Sequence, residues 1–448
     1  MTVRHSFHYS ASTRPSRRPR LLAIAAAIAA AMPVAAMPVA AQAPDSASMP
    51  LRIDRSEAIQ EALAHNPTLA VAREQIAQAR ARVTQGYALP EPSISTTFLG
   101  ATGLTHPHTG NETDVGVGIT IPFPNKIILR GQAAKGDLGS FDAQYVLQRQ
   151  LVAAQTAQAY DSLLVALRHR EDLLVAKQLA QDFVQKTQAR FNAGTAAKLD
   201  VVKGQVDAAQ AENDLIANER GIANARAGLN RLLGRVLGAS IEPADTLGVP
   251  VIPSDFARLE QLAMSARPEL RGLVRQRESA RAQERLAQQY FLPDITLGVS
   301  RDKIYGTEPT YETSIGIDLP IFFWQHQNGE VAEAKHRQAE LSATFRDVSA
   351  QVGQDLRNAY STATVALRQV QFLGDELVPS ATEQYKIASD SYALGGSSAL
   401  EVIDAQRTLL DAKSQYTTAL GALNDAVADL ERATGAPLDS IPAGKSHD

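Results

Sequence analysis

The chain has 448 residues, of which 44 are basic and 48 acidic, with aromatic residues at 5% and no cysteine. Without cysteine it can form no disulfide, no thiol nucleophile and no cysteine-ligated metal site. The low aromatic content favours long, closely packed helices over a globular core that is rich in aromatic rings.

The first 43 residues have the pattern of an export signal peptide. Five arginines (Arg4, Arg14, Arg17, Arg18 and Arg20) precede an apolar run over 21–31, and small residues follow it. This is the order of a basic region, a hydrophobic region and a cleavage site. Removal of 1–43 takes away five of the 44 basic residues and none of the 48 acidic ones, which leaves 39 against 48. This balance argues against nucleic acid as a partner, because binding to phosphates needs a basic face.

The rest of the chain reads as two copies of one unit, about 201 residues apart. Leu89-Pro90 is matched by Leu292-Pro293, and Phe191-Asn192-Ala193-Gly194 is matched by Tyr392-Ala393-Leu394-Gly395. Each copy is predicted to run helix, strand, loop, strand, long helix, tight turn, helix. We therefore divide the chain into a signal peptide (1–43), a first repeat (44–238), a linker (239–253), a second repeat (254–436) and a loose C-terminal tail (437–448).

Two segments of each repeat alternate apolar residues with small or polar ones. Examples are Val115, Val117 and Ile119 in the first repeat and Ile295, Leu297 and Val299 in the second. A period of two predicts a strand with one apolar face, which suits either a soluble sheet over a core or a barrel wall that faces lipid. Four strands cannot close a barrel, which needs about eight. Because lipid tolerates no open sheet edge, strands that cross a membrane would have to be shared among several chains. After the leader no apolar run reaches the ~20 residues of a spanning helix, so we expect any membrane span to be β.

The segments after each strand pair predict unusually long helices. No proline occurs over 131–192, and Pro379 is the only one over 329–394. About 60 helical residues span roughly 90–100 Å. The returning segments, which start near Val201 and Val402, carry apolar or small residues at alternating steps of three and four. This repeat requires coiled-coil packing, and it fits a soluble rod as well as the wall of a helical tunnel.

These features resemble the TolC-type family of outer-membrane efflux channels. The duplication, the Leu-Pro pairs and the helix-tip segments over 190–201 and 392–405 carry the resemblance, which covers roughly 51–436. It implies a mainly α chain with a small transmembrane β part. Four strands per chain would contribute to a β-barrel shared by a trimer, and long antiparallel helical hairpins would form a periplasmic α-barrel. The segment over 319–334 is similar to the cation-efflux branch of the family.

The resemblance also implies a function, a location and partners. The chain would be the passive exit duct of a tripartite efflux system for small solutes or metal cations, in the outer membrane, with its helical part in the periplasm. Its partners would be two further copies in a homotrimer, a periplasmic adaptor protein, an inner-membrane pump and outer-membrane lipid. No cofactor is expected, and no catalytic motif is recognisable, so we do not expect an enzyme. A type I protein-secretion duct and a periplasmic coiled-coil scaffold remain as alternatives.

Finally, the resemblance places a gate at the helix tips. Its acidic ring maps onto Glu401 and Asp404, which lie three residues apart and therefore on one helix face. Three copies of such a pair would select for cations, although acids at a helix start are also favoured simply by the helix dipole. Tip contacts and adaptor docking map onto Asp200, Tyr392, Gly194, Gly395 and Ser397. Because Ser397 stands where a family member has an arginine in its lock, we expect the lock of this chain to be weaker or built differently.

Overall fold

The computed structural model describes residues 51–100 and 111–438. The predicted signal peptide and residues 439–448 of the predicted tail lie outside the described residues. The first repeat contains β1 (Leu51–Ile53), α1 (Arg55–His65), α2 (Pro67–Tyr87), β2 (Ser93–Leu99), β3 (Glu112–Ile121), α3 (Pro124–Asn192) and α4 (Lys198–Leu232). The second contains β4 (Ile241–Pro243), α5 (Phe256–Ala266), α6 (Pro268–Gln288), β5 (Asp294–Ile304), β6 (Thr310–Asp318), α7 (Phe323–Phe372), a π-helical turn (Leu373–Leu377), α8 (Val378–Leu394) and α9 (Ala399–Thr434). The same order of elements occurs twice, which confirms the predicted duplication.

The duplication extends to matching contacts at the start of α2 and α6. Each of these helices begins with a proline, whose missing N–H costs nothing in a first helical turn. In the first repeat the residue before the proline, Asn66, donates from its side chain to the carbonyl oxygen of Leu232 at 2.8 Å. In the second repeat Arg267 donates in the same way to the carbonyl oxygen of Arg432 at 3.0 Å. Both repeats therefore fasten the start of this helix to the end of their last helix.

Within the described part of the chain, four of the six strands form one antiparallel sheet in the order β2-β3-β5-β6. Its register aligns apolar residues in rows across the strands, such as Ile119, Leu297 and Ile315. Leu297 and Ile315 are 38% and 76% exposed in the single chain. The predicted alternation is thus confirmed, and residues 51–100 and 111–438 of a single chain leave its apolar face exposed.

The long helices are present as predicted. Helix α3 has 69 residues, which corresponds to about 100 Å. Helices α7 and α8 form a second rod that is interrupted by the π-helical turn, where the N–H of Val378 bonds to the carbonyl oxygen of Leu373. Pro379 follows directly, and a proline ring clashes with the carbonyl four residues earlier in a regular helix. The wider turn accommodates Pro379 without ending the rod. No helix among the described residues has an apolar stretch long enough to cross a membrane.

The seam of α9 follows the predicted heptad. Val402, Ala405, Leu409, Ala412, Ala419, Leu423, Ala426, Leu430 and Ala433 are all buried. They pack in part against α5 and α7, through residues such as Leu259 and Leu356. A second core joins β1, α1, α3 and α4 around Tyr160 and Leu229.

Candidate gate at the helix tips

The first helix tip is the turn between α3 and α4. Gly194 has a φ of 71°, a left-handed conformation in which glycine is favoured because it has no Cβ. Thr195 closes the turn, since its N–H and its hydroxyl both donate to the carbonyl oxygen of Arg190, at 2.9 and 3.1 Å. A Cβ on Gly194 would meet no atom within 4 Å, so this glycine serves the shape of the turn.

The second helix tip is the turn between α8 and α9. Gly395 ends α8 with a φ of 87°, and Ser398 caps the start of α9. The N–H of Glu401 donates to the Ser398 hydroxyl at 3.3 Å, and the N–H of Ser398 donates to the Glu401 carboxylate at 3.0 Å. Glu401 therefore has a local structural role as one half of a capping box.

The two tips of one chain meet at Arg190 and Tyr392. The guanidinium of Arg190 lies 4.5 Å from the centre of the Tyr392 ring. It also donates to the carbonyl oxygen of Tyr392 and, at 3.1 Å, to that of Thr195. The Tyr392 ring also packs against Phe183, with the ring centres 5.3 Å apart. The ring of Tyr392 is thus in contact with both Arg190 and Phe183.

The hydroxyl of Tyr392 is buried and has no hydrogen-bond partner among the described residues. Burial raises the pKa of Tyr392, the charge of Arg190 lowers it, and the charge of Asp200 raises it further. Asp200 is therefore near Tyr392 but does not accept a hydrogen bond from its hydroxyl.

The predicted acidic pair lies on the surface between α8 and α9. Glu401 and Asp404 line an open groove of about 560 Å³ together with Ser397 and Glu383. The structure thus brings three carboxylates and Ser397 to one groove, while Tyr392 is buried at the joint of the tips. The sequence did not indicate Glu383, because it lies on the opposite helix, α8. Neither helical segment alone shows which residues of the two helices lie opposite each other.

A buried polar contact between α4 and α9 also escaped the sequence analysis. Asp207 is 6% exposed and accepts from Gln406 at 3.1 Å and from Arg407 at 3.5 Å. Burial raises the pKa of Asp207, and Arg407 opposes this shift. The sequence did contain one signal: Asp207 follows the buried Gly204 by three residues, which is the spacing of a seam position. Polar residues at seam positions fix the register of paired helices.

No group of three or more histidine, aspartate or glutamate residues within 51–100 and 111–438 is arranged to hold a metal ion.

Comparison with known proteins decides the family. The sequence model of the outer membrane efflux protein family matches residues 58–235 and matches again over 259–436. The chain belongs to the outer membrane efflux protein family. The two matches fall on the two repeats, and the resemblance inferred from the sequence is confirmed.

Individual relatives agree with this assignment. The cobalt-zinc-cadmium resistance protein CzcC of Cupriavidus metallidurans is 24% identical over 396 residues, which are 88% of this chain and 92% of CzcC. The outer membrane protein TolC of Salmonella enteritidis is 26% identical over 63% of this chain and 60% of its own length. The crystal structure of VceC from Vibrio cholerae superposes with a TM-score of 0.70 at 20% identity, over 85% of this chain and 96% of VceC.

The protein is therefore an outer-membrane efflux channel with a helical part in the periplasm, as predicted. Members of this family are channels that form trimers and work with an adaptor and an inner-membrane pump.

Proposed function

We propose that three copies of this chain form the exit duct of a tripartite system that expels divalent metal cations. The observation that carries the proposal is the groove in which Glu383, Glu401 and Asp404 expose their carboxylates at the helix tips. A relative that matches most of this chain is a cobalt-zinc-cadmium resistance protein, which favours metal cations over other small solutes.

The sheet supports an assembly of several copies. Its edge strands, β2 and β6, run in opposite directions because each of the three pairings between neighbours is antiparallel. Strand β6 of one copy can therefore pair antiparallel with β2 of the next, so that three copies close a sheet of twelve strands. The exposed apolar rows would then face lipid, which makes outer-membrane lipid a partner of the assembly.

The tips also offer a docking surface for a periplasmic adaptor. Leu394 is 90% exposed beside Gly395, and Leu199 and Leu400 are more than half exposed at the starts of α4 and α9. Exposed leucines grouped at the end of a long rod are typical of a protein–protein contact. In this arrangement Gly194, Gly395 and Ser397 shape the turns that present these leucines to the adaptor.

The acidic groove would act as a cation-attracting entrance. Glu401 and Asp404 contribute six carboxylates in three copies. A unit charge about 8 Å from each carboxylate in water interacts by roughly 0.5 kcal/mol per pair. Screening at physiological salt leaves about 1 kcal/mol for the six together, or roughly a fivefold effect on cation binding, and more for a divalent ion.

The experiment is the conductance of the purified protein in planar bilayers, with divalent cations added on the side of the helix tips. We expect the double variant Glu401→Ala/Asp404→Ala to weaken divalent block about fivefold or more and to lower cation selectivity. The control Asp214→Ala/Glu219→Ala removes the same charge from α4, away from the tip, and should leave the block unchanged. Identical block in wild type and E401A/D404A would remove these residues from the gate.

The cargo is tested in cells. Deletion of the chain should lower tolerance to cobalt, zinc or cadmium several-fold and leave tolerance to organic antibiotics unchanged. The reverse pattern would assign the duct to organic solutes, and loss of a secreted protein without either effect would assign it to protein secretion.

A further inference from the structure

Two basic residues lie on the apolar face of the four-stranded sheet. The sheet has a helix end, where α3 and α7 follow β3 and β6, and a loop end at the connection from β5 to β6. In β5, Arg301 and Lys303 continue the row of Ile295, Leu297 and Val299 toward the loop end. Side chains two residues apart on a strand point to the same face. Both basic residues therefore share the face of the apolar row and lie just beyond its last apolar member.

The acidic residues of the loop end occupy the opposite face. Asp302 comes between the two basic residues along β5 and is aligned with Asp114 of β3. Glu312 of β6 is aligned with Ser300 of β5, which shares the face of Asp302. In the described strands of this sheet, no acidic residue lies on the apolar face. The two basic side chains form no ion pair with another described residue. Charges of opposite sign are thus separated onto opposite faces.

The residues aligned with the two basic residues carry hydroxyl groups. Tyr311 of β6 is aligned with Arg301 and is 73% exposed. Thr113 of β3 is aligned with Lys303. Directly aligned residues have Cβ atoms about 5 Å apart, and residues two apart along a strand are separated by about 7 Å. A guanidinium, an ammonium and two hydroxyls are therefore grouped within reach of one anionic group, and no carboxylate lies among them.

The height of this group along the strand matches the outer boundary of the membrane. Because the helical part is in the periplasm, the loop end of the sheet points to the cell exterior. Arg301 is seven residues after Asp294, the first residue of β5, which is about 23 Å along the strand. With a strand tilt of about 40°, this is roughly 18 Å across the membrane, and Lys303 lies at roughly 23 Å. The apolar band of an outer-membrane barrel is about 25 Å tall and is bordered by aromatic residues, as Tyr311 borders this one. Long basic side chains reach from such an edge to the lipid headgroups.

We propose that Arg301 and Lys303, with Tyr311 and Thr113, bind a phosphate group of lipopolysaccharide, the phosphorylated glycolipid of the outer leaflet. The inference rests on the proposed assembly, in which the apolar rows face lipid. Arginine binds phosphate through two parallel N–H bonds, and lysine adds a compact positive charge. The acidic residues do not oppose this binding, because they lie on the lumen side of the sheet. A trimer carries three such sites around the barrel.

The first test is binding to detergent-purified trimers, measured by native mass spectrometry. The probes are lipid A with its two phosphates, lipid A from which the phosphates have been removed, and phosphatidylglycerol. A phosphate monoester carries about −1.5 to −2 charges at pH 7, whereas the diester of phosphatidylglycerol carries a single charge. Wild type should therefore bind phosphorylated lipid A at least fivefold more tightly than either other probe.

The second test removes the two charges from the protein. A basic residue near an anionic membrane surface contributes about fivefold in affinity, so Arg301→Gln/Lys303→Gln should weaken binding of phosphorylated lipid A at least tenfold. Arg301→Lys keeps the charge but loses the fork, and should lie between wild type and the double variant. The matched control is Arg346→Gln/Arg368→Gln, which removes the same charge from exposed positions of α7 and should leave binding unchanged. Conductance of R301Q/K303Q should equal that of wild type, because both side chains face away from the lumen.

The outcomes separate this inference from the proposed function. Equal binding of lipid A with and without its phosphates overturns the inference, and this comparison needs no variant, so it decides even if R301Q/K303Q fails to assemble. Equal binding of phosphatidylglycerol overturns it as well, because the face would then be a general anionic-lipid surface. Unchanged lipid A binding in R301Q/K303Q trimers, or a changed conductance, removes these two residues from the site. Wild-type protein that forms neither trimers nor pores contradicts the proposed function, and with it the assembly on which the site depends.

Discussion

Replacement of Gly136 by alanine should push α3 and α6 apart. A Cβ built on Gly136 lies 2.6 Å from the backbone nitrogen of Ser279 and 2.8 Å from its Cα, whereas real Cβ atoms essentially never approach within 3.0 Å. The obstacle is main chain, so no side chain can rotate away and the helices themselves must separate. Overpacking of this kind costs about 1–3 kcal/mol.

Gly136→Ala also has a favourable effect on helix stability, which must be subtracted from the overpacking cost. Alanine in a helix interior is better than glycine by about 1 kcal/mol. With the upper end of the overpacking cost, which suits a rigid obstacle, we expect a net loss of about 2 kcal/mol per chain. Gly228 of α4 is the matched control, because a Cβ there meets no atom within 4 Å. Gly228→Ala should therefore stabilise by about 1 kcal/mol.

The assay is thermal unfolding in detergent, followed by circular dichroism at 222 nm. At about 2 °C per kcal/mol, the midpoint should fall by about 4 °C in G136A and rise by about 2 °C in G228A. A midpoint that falls in G136A and rises in G228A is the result expected if α3 and α6 approach closely at Gly136. A rise of the midpoint in both variants would refute the reasoning, and a normal midpoint in G136A with shifted pore properties would show that the helices separate at little cost.

Two further predictions concern the carboxylates near α1. Burial, and then the charges of Asp161 and Asp429, raise the pKa of Asp425 to about 6, and Arg55 partly opposes this. Between pH about 6 and the ordinary value of 3.8 the folded chain binds a proton that the unfolded chain does not, so stability should rise as pH falls through this window. Asp425 is only half-buried, so solvent screens part of this cost. Asp425→Asn should stabilise the fold by about 1–2 kcal/mol at pH 7.5 and flatten the dependence of the unfolding midpoint on pH; an unchanged dependence would exclude Asp425 as its source. Separately, Arg55 donates from Nε to both carboxylate oxygens of Asp161 at 3.2 Å, and Asp161 is 2% exposed. Arg55→Ala leaves this carboxylate unpaired and should cost about 3 kcal/mol at neutral pH, with Arg55→Lys as the milder control. Because burial raises the pKa of Asp161, the loss should shrink in acid, and a loss that is constant from pH 7.5 to 5 would contradict this explanation.

The large features of the fold could be predicted because they repeat. The strands show a period of two, the seam of α9 shows a heptad, and the whole unit occurs twice, so each pattern is sampled many times. The short elements could not be predicted in the same way. Strands β1 and β4 have three residues each, too few for any period, and β4 lies inside the segment that we predicted to be a linker.

The candidate gate was predictable in its location but not in its contacts. Gly194 and Gly395 marked the two turns, since a tight turn with positive φ favours glycine. Arg190 stood within the tip segment, but nothing in its neighbourhood along the chain indicates that its guanidinium reaches Tyr392. That contact depends on how two hairpins from different repeats face one another. The packing along the whole seam sets the relative orientation of the two hairpins. The sequence around Arg190 or Tyr392 does not indicate this orientation.

The small parallel sheet of β1 and β4 has a consequence for the order of folding. Ile53 of β1 and Ile241 of β4 belong to the same core as Tyr160 and Leu229. The Tyr160 hydroxyl donates to the carbonyl oxygen of Ile53 at 3.0 Å, and the N–H of Arg55 donates to Asp245, 190 residues further along the chain. Contacts so distant in sequence form late, because a long loop must close first. The core of the first repeat therefore cannot be completed until β4 has joined it, and a chain cut after residue 238 would lack that strand.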